Sequence, residues 1–118
     1  MIVGLGVDVV DLARFERAVS RTPRLAERLF AESERALPLR SLAARFAAKE
    51  ALVKALGDAE DVHWVDMAIT NDPTGNPAFV IGGPLAELLD RRGIAALHVS
   101  MSHDAGVAVA TVVAESLP

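Results

Sequence analysis

Residues 2–11, IVGLGVDVVD, form a mostly apolar, β-branched run interrupted by two glycines and Asp8 and closed by Asp11, which predicts a buried strand ending near 8–11. The period then changes. In DLARFERAVS, Leu12, Phe15 and Val19 recur on one helical face behind Asp11, a residue suited to cap the first turn. Pro23 interrupts that pattern, and Leu25 and Leu29 predict a second short helix in PRLAERLF. Ser33 is placed to cap a third short turn before Pro38. The longest helix is predicted over 41–56, stopped by Gly57.

Downstream, DAEDVH reads as an acidic loop. HWVDMAITND alternates as a strand, with Trp64, Asp66, Ala68 and Thr70 on one side and Val65, Met67 and Ile69 on the other. DPTGNP is dense in turn residues, and AFVI returns as the second arm of a hairpin. GGPLAELLDRRG starts a helix at Pro84 and ends it before Gly93. Two strands follow around a turn at 103–106. The second is apolar at nearly every position, which predicts burial on both faces or at a subunit contact. The expected order is β-α-α-α-β-β-α-β-β, in one domain spanning 1–118.

Composition narrows the chemistry. With 52% apolar and 24% charged residues, the 118-residue chain suits a folded globule small enough to gain from oligomerisation. It has no cysteine, which excludes disulfides, thiolate metal sites and a thiol nucleophile, so any metal must take oxygen or imidazole ligands. No apolar run approaches the roughly 18 residues of a membrane span. The N-terminal apolar stretch lacks a preceding basic region, so it reads as a strand rather than a signal peptide, and a cytoplasmic location is expected. The net charge of −4 hides an asymmetry: residues 1–54 hold ten Lys and Arg against seven acids, and residues 55–118 hold two against nine. The basic half is where an anionic ligand or partner is expected, while the overall acidity argues against nucleic acid.

Three segments stand out. In GVDVVDLARFERA, Asp8 sits among valines of a strand expected to be buried, where a lone carboxylate costs several kcal/mol unless it is paired, capping or bound to metal. Asp11 fits a cap better than a ligand. In RFAAKEALVKALG, Glu50 stands beside an apolar stripe, with Arg45, Lys49 and Lys54 within three turns. Glu50 and Lys54, at i and i+4, would also suit a helix-surface ion pair. In HVSMSHDAGVAVA, His103 lies where a strand meets a turn, able to bind phosphate, shuttle a proton, ligate metal or simply face solvent. His98 is a weaker candidate, and His63 falls in a loop. Arg14, Arg17, Arg21, Arg24 and Arg28 would form one cationic stripe on a continuous helix. Only Glu16 and Glu27 offset them, which points to docking of an acidic partner. No phosphate loop, dinucleotide fingerprint or GxSxG elbow is present.

Together, GVDVVDLARFERA, RFAAKEALVKALG and VSMSHDAGVAVATVV resemble, in order and spacing, the three signature motifs of the holo-[acyl-carrier-protein] synthases, small 4′-phosphopantetheinyl transferases. NDPTGNPAFVIGG resembles that family's central hairpin, and the resemblance runs from about residue 2 to 115. It implies an α+β fold with strands packed on the long helix, and a homotrimer with sites at subunit boundaries. It also implies transfer of phosphopantetheine from coenzyme A to a serine of apo-acyl carrier protein, releasing adenosine 3′,5′-bisphosphate. By the same resemblance, Asp8 and Glu50 hold Mg²⁺, a hard cation that takes oxygen ligands. Glu50, or a water held by the ion, takes the serine proton. Lys54 touches the phosphates and is counted with Asp8 and Glu50 as catalytic. His103, Arg45, Lys49 and Arg40 bind the coenzyme. Arg14, with Arg17, Arg21 and Arg24, meets the carrier. One departure is clear: the family commonly continues KALG with a glycine-rich turn, whereas this chain has DAEDVH, so no contact is transferred to 58–63. The alternatives are a non-catalytic trimeric module that docks acidic carriers, and an unrelated metal-dependent phosphohydrolase.

Overall fold

In the computed structural model, which describes Met1–Pro118 throughout, the helix Leu39–Leu56 is enclosed on almost every side. Ala43, Ala47, Ala48 and Ala51 are fully buried on it, and their small side chains let neighbouring backbone come close. The chain order is β1 (Ile2–Asp11), α1 (Leu12–Arg21), α2 (Leu25–Leu29), α3 (Leu39–Leu56), a 3₁₀ turn (Trp64–Asp66), β2 (Ile69–Asn71), β3 (Pro77–Phe79), α4 (Gly83–Arg91), β4 (Ile94–Asp104) and β5 (Val107–Ser116). β1, β5 and β4 make an antiparallel sheet in that order, and β2 pairs with β3. This is the expected α+β arrangement, with the main sheet packed on α3. No helix is long and apolar enough to cross a membrane.

The first strand explains its own glycines. A Cβ on Gly6 would overlap the carbonyl oxygen of Ala51, and one on Gly4 that of Ala55. Strand β1 therefore lies directly on the backbone of α3, a contact that only glycine permits. Successive strand residues face opposite ways, so Gly4, Gly6 and Asp8 share the face turned to the helix. Val3, Leu5, Val7 and Val9 share the other face and are exposed. The expectation of a fully buried first strand is corrected: β1 is an edge strand, with one face covered and an apolar stripe left open. β5 alternates too. Ala108, Ala110, Val112 and Ala114 are buried against α3, while the intervening residues are only partly covered.

Local chemistry sets most boundaries. Asp11 caps α1, its Oδ1 accepting from the Arg14 backbone N–H at 2.8 Å. Gly57, at φ +81°, closes α3 by donating to Val53 O at 2.9 Å. The β4–β5 hairpin turns on Ala105 and Gly106, both at positive φ, the pattern of a type I′ turn. The strand expected over 63–72 is only half present. His63 N donates to Asp66 Oδ2 at 3.0 Å, and this side-chain bond winds Trp64–Asp66 into a 3₁₀ turn before β2 begins.

Candidate active site

The same register that seats the glycines delivers the first carboxylate. β1 meets Ala55 at Gly4 and Ala51 at Gly6, so the strand runs against the direction of the helix. Two residues on, Asp8 comes beside Glu50 and Lys54. Lys54 Nζ lies 3.0 Å from Asp8 Oδ1 and 3.0 Å from Val7 O. The anticipated one-turn ion pair with Glu50 is replaced by this bond across elements. Asp8, Glu50, Lys54 and Arg14 line one cleft of about 450 Å³, whose apolar wall includes Phe15 and Phe46. Phe15 and Phe46 are stacked, with centroids 5.9 Å apart.

Burial pushes the Glu50 carboxyl above the ordinary glutamate range; the Asp8 charge adds to that rise, and Lys54 opposes it. Two carboxylates thus face one open space, and Glu50 carries the cost. No third His, Cys, Asp or Glu joins them in a group able to hold a metal ion.

The other expected site residues fall in different places. Arg45 and His103 come together in a second cleft of about 240 Å³, with Ser41, Asn71 and Ser102. Arg40 lines a third, beside Glu16 and the β4–β5 turn. Arg14, Arg17, Arg21 and Arg24 are exposed, but α1 stops at Arg21 and Arg24 adopts φ +69°, so the cationic stripe is two short faces rather than one. His98 pairs with Glu115 at 3.0 Å, and His63 sits by the 3₁₀ turn. The acidic loop is tied to the C-terminal end of α4: Arg92 donates to Leu56 O and Asp58 O, and Arg91 meets Glu60 at 3.3 Å.

Lys49 is the one expected ligand-binding residue that the structure removes. It has no exposed surface. Its three ammonium protons go to Glu34 Oε1 at 2.6 Å, Leu29 O at 2.7 Å and Trp64 O at 3.1 Å. Burial lowers its pKa, and the hydrogen bond it donates to Glu34 pulls it back up. Glu34 itself was invisible in the sequence. It sits in the polar stretch AESERA, where no apolar period marks a buried position, yet it is 1% exposed.

Residues 4–112 match the model of the 4′-phosphopantetheinyl transferase superfamily. A holo-[acyl-carrier-protein] synthase of Leifsonia xyli subsp. xyli is 62% identical over 115 residues, covering 98% of each chain. The crystal structure of the Neisseria meningitidis holo-[acyl-carrier-protein] synthase superposes with a TM-score of 0.90 at 35% identity, covering 98% of this chain and 100% of that one. The Helicobacter pylori synthase, solved in complex with coenzyme A, gives a TM-score of 0.83 at 35% identity, covering 94% of this chain and 99% of that one. With its carboxylate cleft on the β1–α3 contact and its full-length likeness to these proteins, the chain belongs to the holo-[acyl-carrier-protein] synthase family of 4′-phosphopantetheinyl transferases.

Proposed function

We propose that this protein is a cytoplasmic, Mg²⁺-dependent enzyme that moves 4′-phosphopantetheine from coenzyme A to a serine of apo-acyl carrier protein and releases adenosine 3′,5′-bisphosphate. The observation that carries this is the meeting of Asp8 and Glu50 in one cleft, under Lys54 and Arg14. The carboxylate pair suits a divalent ion: Glu50 is held above its ordinary range in part by Asp8, a repulsion that a bound cation relieves. Two carboxylates leave room for waters and substrate phosphate around Mg²⁺. When bound there, Mg²⁺ supplies charge neutralisation for the diphosphate.

The chain's own groups do the rest. Lys54 steadies Asp8 and offers its remaining proton to a phosphate oxygen. Glu50 is the acceptor within the cleft for the serine proton, directly or through water. As that proton leaves, the serine oxygen bonds to phosphorus, and the bond from phosphorus to the departing adenosine bisphosphate breaks. Arg14 and the exposed Arg17, Arg21 and Arg24 receive the acidic carrier, bringing its serine to the cleft.

Arg45 and His103, taken as coenzyme-binding, lie in a separate cleft from Glu50 within one chain. Arg40, in a third cleft, is kept as a further coenzyme contact. A homotrimer whose sites combine residues of adjacent subunits reconciles this separation. The open stripe of Val3, Leu5, Val7 and Val9 supports such assembly, because small monomers rarely leave a contiguous apolar face bare. The test is turnover with Mg²⁺, coenzyme A and an apo carrier. Release of adenosine bisphosphate only when the carrier is present supports transfer; carrier binding without release supports the docking module, and release without a carrier supports a phosphohydrolase.

A further inference from the structure

Arg45 is 7% exposed, and its Nε is buried without a hydrogen-bond partner. Its ion-pair partner is Glu34, whose Oε2 lies 3.9 Å from Arg45 Nε. That carboxylate is unusually well tied. Oε1 accepts from Lys49 Nζ at 2.6 Å and from the Ala31 backbone N–H at 3.0 Å, and Oε2 accepts from the Ile69 N–H at 3.1 Å. Arg45 and Lys49, one helical turn apart, point to the same side of α3, so without Glu34 two buried cations would face each other. The Ile69 bond also fixes the start of β2, whose last residue, Asn71, lines the same cleft as Arg45, Ser102 and His103.

We infer that Glu34 is a positioning residue for coenzyme binding: anchored by Lys49, it orients the Arg45 guanidinium and the β2 wall so that the Arg45–His103 cleft is set to receive a phosphate of coenzyme A. This rests on the reading of that cleft given under the proposed function. Glu34 has almost no exposed surface and does not touch the coenzyme itself.

Two variants separate positioning from structure. Glu34→Gln removes the charge but leaves Lys49 unpaired, so it lowers Tm as well. The double variant Glu34→Gln/Lys49→Met removes both charges with little change of volume and regains part of that Tm. In both, the calorimetric Kd and the kinetic KM for coenzyme A rise about tenfold, while kcat at saturation and KM for the carrier stay within about twofold. A double variant that binds coenzyme A as tightly as the unaltered protein overturns the inference. Should the variants not fold, the unaltered protein still decides. Its Arg45 Nε–H signal in nuclear magnetic resonance exchanges slowly and shifts on adding coenzyme A, whereas a fast-exchanging, unmoved signal overturns the assignment. An unaltered protein that binds no coenzyme A with Mg²⁺ present overturns the proposed function, and this inference falls with it.

Discussion

Lys54 Nζ stands 3.0 Å from Asp8 Oδ1, joining two residues that are 46 positions apart in the chain. The contact exists because β1 rests on the α3 backbone through glycine, which brings Asp8 within reach of the last turns of the helix. The Lys54 side chain is 54% exposed, so the pair adds little to stability, less than about 1 kcal/mol. Its value is to the cleft. Asp8→Asn should therefore leave the denaturation midpoint nearly unchanged while lowering turnover by about 10²–10³-fold. An equal loss of stability and activity would show the residue to be structural.

Glu50 should titrate above an ordinary glutamate in the metal-free protein, because burial and then Asp8 raise its pKa more than Lys54 lowers it. A raised carboxyl favours the protonated folded form. Its share of stability is full below the unfolded pKa and is lost as pH rises through the raised folded pKa. Added Mg²⁺ should oppose that loss. Asp8→Asn should bring the Glu50 titration down, though not fully, since burial is the larger cause. A carbon-13 carboxyl titration checks this; an unmoved midpoint in Asp8→Asn would mean the two side chains do not sense each other.

Gly6→Ala should be among the most damaging single substitutions outside the cleft. The added Cβ meets the rigid carbonyl of Ala51 rather than a flexible side chain, so strand and helix must separate. A loss of about 3 kcal/mol is expected from urea denaturation. Gly75→Ala is the control: its Cβ would meet nothing within 4 Å, leaving only the strain of φ +89°.

If each site joins Asp8 and Glu50 of one subunit to His103 of the next, defects in different residues should complement. Asp8→Asn and His103→Ala protomers, mixed and reassembled at random, give mostly mixed trimers, each with one intact site. Activity should return to about a quarter of the unaltered level. A mixture no more active than its two parents would place all these residues in one subunit's site.

Much of this was legible in the chain. The element order, the cap at Asp11, the stop at Gly57 and the turn before β5 follow from local rules, and local geometry made them. Asp8 and Glu50 could be marked because carboxylates are conspicuous in apolar stretches. Their convergence could not be derived from spacing alone, since it depends on Gly4 and Gly6 meeting α3, a contact between distant segments. Lys49 departs from its expected role for a related reason: on a helix buried nearly all round, a cation beside Glu50 looks available in the sequence, but its partner Glu34 comes from a loop 15 residues away. The 3₁₀ turn at Trp64–Asp66 hid behind an alternation that the hydrogen bond from the His63 N–H to the Asp66 carboxylate overrode.

The most direct measurement is the intact mass of an apo-acyl carrier protein after incubation with this protein, Mg²⁺ and coenzyme A. The expected result is a gain of one phosphopantetheine on the carrier serine, with Glu50→Gln slower by about 10²–10³-fold while it keeps its fold. An unchanged carrier mass, or a Glu50→Gln variant as fast as the unaltered protein, would contradict the account.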